Sequence, residues 1–247
     1  MPKPSSRRLR SSLRRPLPAV AVFARCATTG EAKTRLIPLL GASGAAEFHA
    51  ALVSDTVQKV NRIAKHAVRY FFLAGLLFPP ALAGYNRQRQ RGKDLGARLE
   101  RAFQFLFRHH TSAVIIGTDS PELPPTLLVR ALRELRFCDA VLGPCPDGGY
   151  YLIGLRAHSK QGLRSVFHGI RWGGSFAFRD TLSSLLGRGF ICSILDPCAD
   201  VDRPADFRRL RRNLERGRAA RRGAPAVWRF MRQSRPGGKN TIRSGKD

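Results

Sequence analysis

No stretch of this sequence is uniformly apolar over the ~20 residues that a membrane-spanning helix needs. The longest apolar stretch, RYFFLAGLLFPPALAG (69–84), is interrupted by adjacent prolines, so no transmembrane segment is expected. Cysteine is scarce: Cys26, Cys138, Cys145, Cys192 and Cys198 form no Cys-x-x-Cys pair. An odd count without a repeated spacing argues against a disulfide framework and a structural zinc site, and fits a reducing cytoplasm. Several catalytic signatures are missing too. The phosphate-binding P-loop has glycines one and six residues before its lysine. Ala32 and Ala27 hold those places before Lys33. There is no G-x-G-x-x-G after the first apolar run, no G-x-S-x-G and no H-E-x-x-H, which disfavours a dinucleotide site, an α/β-hydrolase and a zinc protease.

Acidic residues are also few. Seventeen Asp and Glu stand against 44 Lys and Arg, a formal net charge of +27. The excess gathers at the ends: residues 1–15 carry six Lys/Arg and no acid, and 207–247 carry fourteen against Glu215 and Asp247. A disordered basic leader is expected over 1–17, a folded domain over 18–216 and a disordered basic tail over 217–247. The tails are either solvated ends of an arginine-rich chain or weak, salt-dependent tethers to nucleic acid or an anionic membrane.

What remains is enough chain for one well-packed domain. Apolar, β-branched runs predict strands at 18–24, 67–75, 112–121, 138–145, 150–155 and 190–195. Helices are predicted from Ser43, over 95–110, 123–135 and 178–189, and from near Pro204, with 76–93 as a loop. The alternation implies an α/β domain with a mixed, mainly parallel sheet flanked by helices. The tight step at Pro146–Gly149 turns one strand antiparallel. In such sheets ligands sit beyond the carboxyl ends of the strands.

The informative polar residues fall at those ends. After the first strand comes Gly30, then Lys33, Thr34 and Arg35. Glycine permits a turn at positive φ, lysine a point charge and arginine a planar fork for phosphate oxygens. A basic surface loop reads the same way. Asp119 leaves a buried strand in GTDSPELP, where it either binds Mg²⁺ or Mn²⁺ on a nucleotide or caps a turn. GPCPDGGYYLIGL (143–155) packs glycines around a tyrosine pair. Asp147, Gly148, Gly149 and Tyr150 either line a sugar or acceptor pocket or simply form a hairpin. In DPCADVDRPADF (196–207), Asp202, or Asp200, could meet Asp119 across the sheet edge. Two carboxylates ~4 Å apart repel by ~4 kcal/mol at an effective dielectric near 20, so such a pair wants a cation. Asp202 also suits a helix N-cap. His49, on an apolar helix face, and Trp172 read as packing residues.

Taken in order, FARCATTGEAKTRL, GKDLGARL, GTDSPELP, GPCPDGGYYLIGL, GIRW and DVDRPADF resemble the motifs of a bacterial family with a glycosyltransferase-A-like fold, often called radical-SAM/selenodomain-associated transferases. The resemblance spans about 19–212. The family is of unknown function within the nucleotide-diphospho-sugar transferase superfamily, and is similar to phospholactate guanylyltransferases and molybdenum-cofactor nucleotidyltransferases. It implies nucleotide-phosphate binding by Gly30, Lys33, Thr34 and Arg35, and a divalent metal on Asp119 and Asp202. Asp147, Gly148, Gly149 and Tyr150 would line the acceptor or sugar pocket. Of these, Asp147 is the candidate for activating an acceptor hydroxyl, and Asp119 is the other catalytic carboxylate. The family's first loop usually carries two prolines that Arg25–Gly30 lacks. The expected activity is metal-dependent transfer from a nucleotide-activated donor to a small acceptor, foremost glycosyl transfer. The alternatives are nucleotidyl transfer with release of pyrophosphate and an inactive nucleotide-binding scaffold.

Overall fold

The computed structural model describes residues 16–26, 29–79, 82–157 and 166–234. A seven-stranded sheet runs through it in the order β3-β2-β1-β4-β6-β5-β7. The strands are β1 (Ala19–Arg25), β2 (Val68–Ala74), β3 (Asn86–Arg89), β4 (Ser112–Ile116), β5 (Ala140–Pro144), β6 (Tyr150–Arg156) and β7 (Cys192–Ile194). Every pairing is parallel except those of β6, which runs antiparallel to β4 and β5. The hairpin step before Tyr150 therefore does what the sequence predicts. It also matters for function: a reversed β6 begins at the edge where β1, β4, β5 and β7 end.

The helices are α1 (Ile37–Arg62), α2 (Leu95–Leu106), α3 (Pro125–Glu134), α4 (Ala177–Leu186), α5 (Pro204–Arg216), α6 (Arg218–Gly223) and α7 (Pro225–Gln233). Val53, Val57 and Val60 of α1 and Leu128 and Ala131 of α3 cover one sheet face. Leu99, Phe103 and Leu106 of α2 and Leu185 of α4 cover the other. Apolar strands buried on both faces follow from that arrangement.

Three expectations fail here. The loop assigned to 76–93 contains the short strand β3, whose polar sequence NRQR carries no apolar alternation. The helix assigned from Ser43 starts at Ile37, after a 3₁₀ turn over Thr34–Leu36, and kinks at Gly41 (φ 72, ψ 168). Ser43 lies inside it and its hydroxyl donates to Glu47 (3.1 Å). The third concerns 217–247, expected to be disordered. Its first part forms α6 and α7, and Val227, Phe230 and Met231 pack against Phe48 and Leu52 of α1 and Leu210 and Leu214 of α5. Residues 1–15 and 235–247 lie outside the described residues.

Thr34–Arg62 is long and apolar enough by composition to cross a membrane. Its buried face, however, carries Asp55 and Lys59, each held by protein partners. The Asp55 carboxylate accepts from the Ala226 and Val227 N–H groups (2.8 and 2.9 Å), and Lys59 Nζ donates to the Pro121 carbonyl (2.7 Å). It is a core helix between the sheet and α7.

Candidate functional site

A cleft of about 1220 Å³ opens along the carboxyl edge of the sheet. Three loops meet in it. Lys33, in the left-handed conformation (φ 50, ψ 44), sends its side chain inward, where it is only 4% exposed. Its ammonium contacts the Asp119 carboxylate (2.8 Å), donates to the Val201 carbonyl (2.7 Å) and lies 3.9 Å from Asp202. The Val201 N–H in turn donates to the Asp119 carbonyl (2.9 Å). Arg35 pairs with Asp202 (2.5 Å). The lysine thus ties the ends of β1, β4 and β7 together. Burial would raise the Asp119 carboxyl, but Lys33 overrides it and holds the group below the usual carboxylate range.

The expected pairing is therefore changed in one respect. Asp119 and Asp202 do approach the same point, but each already has a cationic partner in Lys33 or Arg35. Asp147 and Asp200 also line the cleft, and neither is in an ion pair among the described residues. One carboxylate oxygen of each, with the Cys145 sulfur, lie within 4.8 Å of one another. Burial first, and then the Asp147 charge, push Asp200 up to about 6. Two carboxylates held together at such a cost fit a hard divalent cation with oxygen ligands. Burial also raises the Cys145 thiol, so it stays protonated and adds little as a ligand for Mg²⁺ or Mn²⁺. The DVDRP alternatives resolve as follows. Asp202 is not the α5 cap: Asp206 accepts from the Arg203 and Asp202 N–H groups (2.9 and 3.3 Å). Asp202 is left to Arg35.

The glycines serve the fold more than a ligand. Gly30 (φ 85) makes the turn before Lys33 but does not line the cleft, whereas Thr34 and Arg35 do. A Cβ on Gly148 would sit 2.1 Å from the Ser175 carbonyl oxygen, and one on Gly143 would strike the Tyr151 ring. The chain's own backbone at Ser175 fills the space beside Gly148, which does not line the cleft. Gly149 and Tyr150 do line the cleft, and the Gly149 N–H is held by the Asp147 carboxylate (2.9 Å).

Several further residues line the cleft or brace it, although the sequence marks them as packing or as surface. Trp172 faces the cleft, edge-on to Tyr150 with ring centroids 6.3 Å apart. It also lies against Gly96, where a Cβ would be 3.0 Å from the indole nitrogen, so the GKDLGARL and GIRW segments pack together. Gln90 donates to the carbonyls of Ala24 and Phe72 (3.0 Å each), locking the ends of β1 and β2. Arg209 donates to the Asp200 carbonyl (2.9 Å). The sequence signal for Gln90 and Arg209 was masked, since both sit in runs of polar and basic residues. His49 is core, as expected, yet it also lines the cleft. Its Nε2 lies 3.2 Å from the Arg25 carbonyl, an acceptor, so Nε2 carries the proton. Burial keeps the ring neutral, leaving Nδ1 as an acceptor with no hydrogen-bond partner among the described residues.

Residues 56–174, just under half of the chain, match the family described as "Uncharacterized protein conserved in bacteria (DUF2064)". No curated protein matches the sequence. Among solved structures, the chain is 29% identical to a Desulfovibrio desulfuricans G20 protein provisionally named a nucleotide-diphospho-sugar transferase. The match covers 87% of this chain and 94% of that one, with a TM-score of 0.75. A cytidylyltransferase from Leptospira borgpetersenii shares the fold at 9% identity (TM-score 0.54, 88% and 94% covered). So does the 4-diphosphocytidyl-2C-methyl-D-erythritol synthase of Anaerococcus prevotii, at 9% identity (TM-score 0.53, 81% and 99% covered).

Proposed function

Starting from a chain whose fold is that of the nucleotide-diphospho-sugar transferases and whose family is otherwise of unknown function, we propose that it is a metal-dependent transferase using a nucleotide-activated donor. Glycosyl transfer to a small acceptor is the foremost form. The observation that carries this reading is the buried Lys33 ammonium, held in a strained backbone among Asp119, Val201 and Asp202 at the mouth of a carboxylate-lined cleft. Left-handed non-glycine residues are costly and gather at functional sites.

In this reading the donor's phosphates displace the carboxylates from Lys33 and Arg35, which become their charge-assisted partners. Asp147 and Asp200, with Asp119 at hand, would hold the divalent cation. That cation would neutralise phosphate charge as the leaving group departs. Asp147 is exposed and lines the cleft, so it is placed to take the proton from an acceptor hydroxyl. The acceptor oxygen then bonds to the anomeric carbon, and the carbon–oxygen bond to the nucleoside diphosphate breaks, the electron pair leaving with the phosphate. Trp172 and Tyr150 would wall the sugar side. The cytidylyltransferases that share the fold support a second form, in which the acceptor attacks the α-phosphorus of a nucleoside triphosphate and pyrophosphate leaves.

Thermal stability with a panel of nucleoside triphosphates and nucleotide sugars, with Mn²⁺ or EDTA, tests the reading. A ligand at ~100 times its dissociation constant adds ~2.7 kcal/mol. A metal-dependent shift abolished by Asp119→Asn and Asp200→Asn supports it. Release of nucleoside diphosphate or of pyrophosphate from the stabilising ligand chooses the form. Absence of any shift leaves an inactive scaffold.

A further inference from the structure

The β2–β3 edge of the sheet carries a feature that the transfer site does not use. Leu76 and Leu77 follow β2 after Gly75 and are 81% and 77% exposed, more than any other large apolar residue described. Single exposed leucines are ordinary; two in succession, fixed outward, are not. Their backbone is fixed at several points. Gly75 turns the chain at φ 129, where a Cβ would lie 2.5 Å from the Cys26 Cβ. The Cys26 N–H donates to the Ala74 carbonyl (2.9 Å). The Arg89 guanidinium donates to the Leu76 carbonyl and lies over the Phe78 ring, 5.0 Å from its centroid. With the carbonyl anchored from β3, the leucines point away from the core.

The surroundings are of one charge. Residues 63–93 contain six Lys/Arg and no Asp or Glu. On β3 and the turn after it, Arg87, Arg89, Arg91 and Lys93 are exposed. We propose that Leu76 and Leu77 form a wedge that docks the protein on an anionic lipid bilayer, the leucines entering the headgroup boundary and the basic residues of β3 and the turn after it meeting lipid phosphates. An apolar tip flanked by cations is the pattern of an interfacial anchor, and the two attractions add. Nucleic acid fits less well, because leucine gives nothing to a phosphate backbone and single strands want exposed rings to stack on. Here Phe78 is covered by Arg89 and Tyr85 is buried. Gln90 and Lys93, in the same segment, line the cleft, so docking would keep the cleft beside the membrane surface.

The test is flotation of the full-length chain with vesicles of phosphatidylcholine alone or containing one third phosphatidylglycerol. Wild type is expected to float with the anionic vesicles only. Leu76→Ser/Leu77→Ser should lower the partition coefficient by at least about tenfold at equal charge, since each leucine loses its transfer into the acyl boundary. Its melting temperature should be unchanged, because both side chains are already in water. A Leu77→Trp variant should show blue-shifted emission on the anionic vesicles. Equal flotation by wild type and the double serine variant would assign any binding to the basic ends and overturn the wedge. So would an unshifted tryptophan, or binding to a single-stranded oligonucleotide with none to vesicles.

Discussion

Lys33 is the one non-glycine residue with positive φ among those described, and its ammonium is almost wholly buried. A lysine in that conformation is kept by what it holds: Asp119, Val201 and, more distantly, Asp202. Replacing it with methionine removes one charge-assisted partner from the donor phosphates. Such bonds contribute ~1.5–3 kcal/mol, so Lys33→Met should weaken nucleotide binding by about 10–100-fold, measured by calorimetry. Lys33→Arg should not restore it, because a planar fork cannot occupy the space of a compact ammonium. Asp200 offers a second test at this scale. Its folded pKa of about 6 lies above the ordinary 3.8, so the unfolded chain loses the proton first as pH rises. Stability is therefore lost between those two values and the penalty persists above about 6. Asp200→Asn escapes that penalty. The variant should match wild type in urea unfolding well below pH 3.8 and exceed it above about 6, in the absence of metal. A constant difference across the range would mean that the carboxyl is not perturbed as described.

At the scale of elements, the central strands were legible because parallel strands buried on both faces must be continuously apolar: AVAVFA and AVII admit little else. The placement of the polar loops was legible for a related reason: in such a sheet ligands sit beyond the strand ends, and Lys33, Arg35, Asp119, Asp147 and Asp202 line the cleft there. What failed was hidden by arginine. In RRGAPAVWRFMRQ the stripe Ala224, Val227, Phe230 and Met231 has helical spacing, but the surrounding charge reads as tail. Gly148 is a different case, because sequence cannot say whether a ligand or Ser175 fills the space beside a glycine, and here Ser175 does. The docking of α7 yields its own prediction. Asp55, wholly buried on α1, accepts the first N–H groups of α7 and lies near Lys59. Asp55→Ala would leave two donors unpaired and the buried lysine without its countercharge. The cost should be about 2–4 kcal/mol in denaturant unfolding. Lys59 also holds the Pro121 carbonyl in the turn after Asp119, so loosening α7 should disturb the site. If Asp55→Ala unfolds at the wild-type midpoint, α7 is not part of the cooperative unit.

At the scale of the whole molecule, charge is the dominant anomaly. A net +27 repels itself in any compact form, and the described ion pairs are few and largely exposed. Surface pairs of that kind contribute little, so screening them costs little, while screening the net repulsion returns more. The expected sign is thus opposite to that of a protein held together by surface salt bridges. Raising sodium chloride from about 0.05 to 0.5 M should raise the melting temperature by a few degrees. Arg208 and Arg212, exposed on α5, are in no ion pair among the described residues. Arg208→Glu/Arg212→Glu should therefore melt higher than wild type at low salt and gain less from added salt. The comparison separates charge repulsion from a general salt effect, which would raise both proteins equally. A melting temperature that falls with salt in wild type would mean that local pairs, such as Arg35–Asp202 and Arg171–Asp180, outweigh the net charge. The arginines would then be part of what holds the fold together rather than a load that it tolerates.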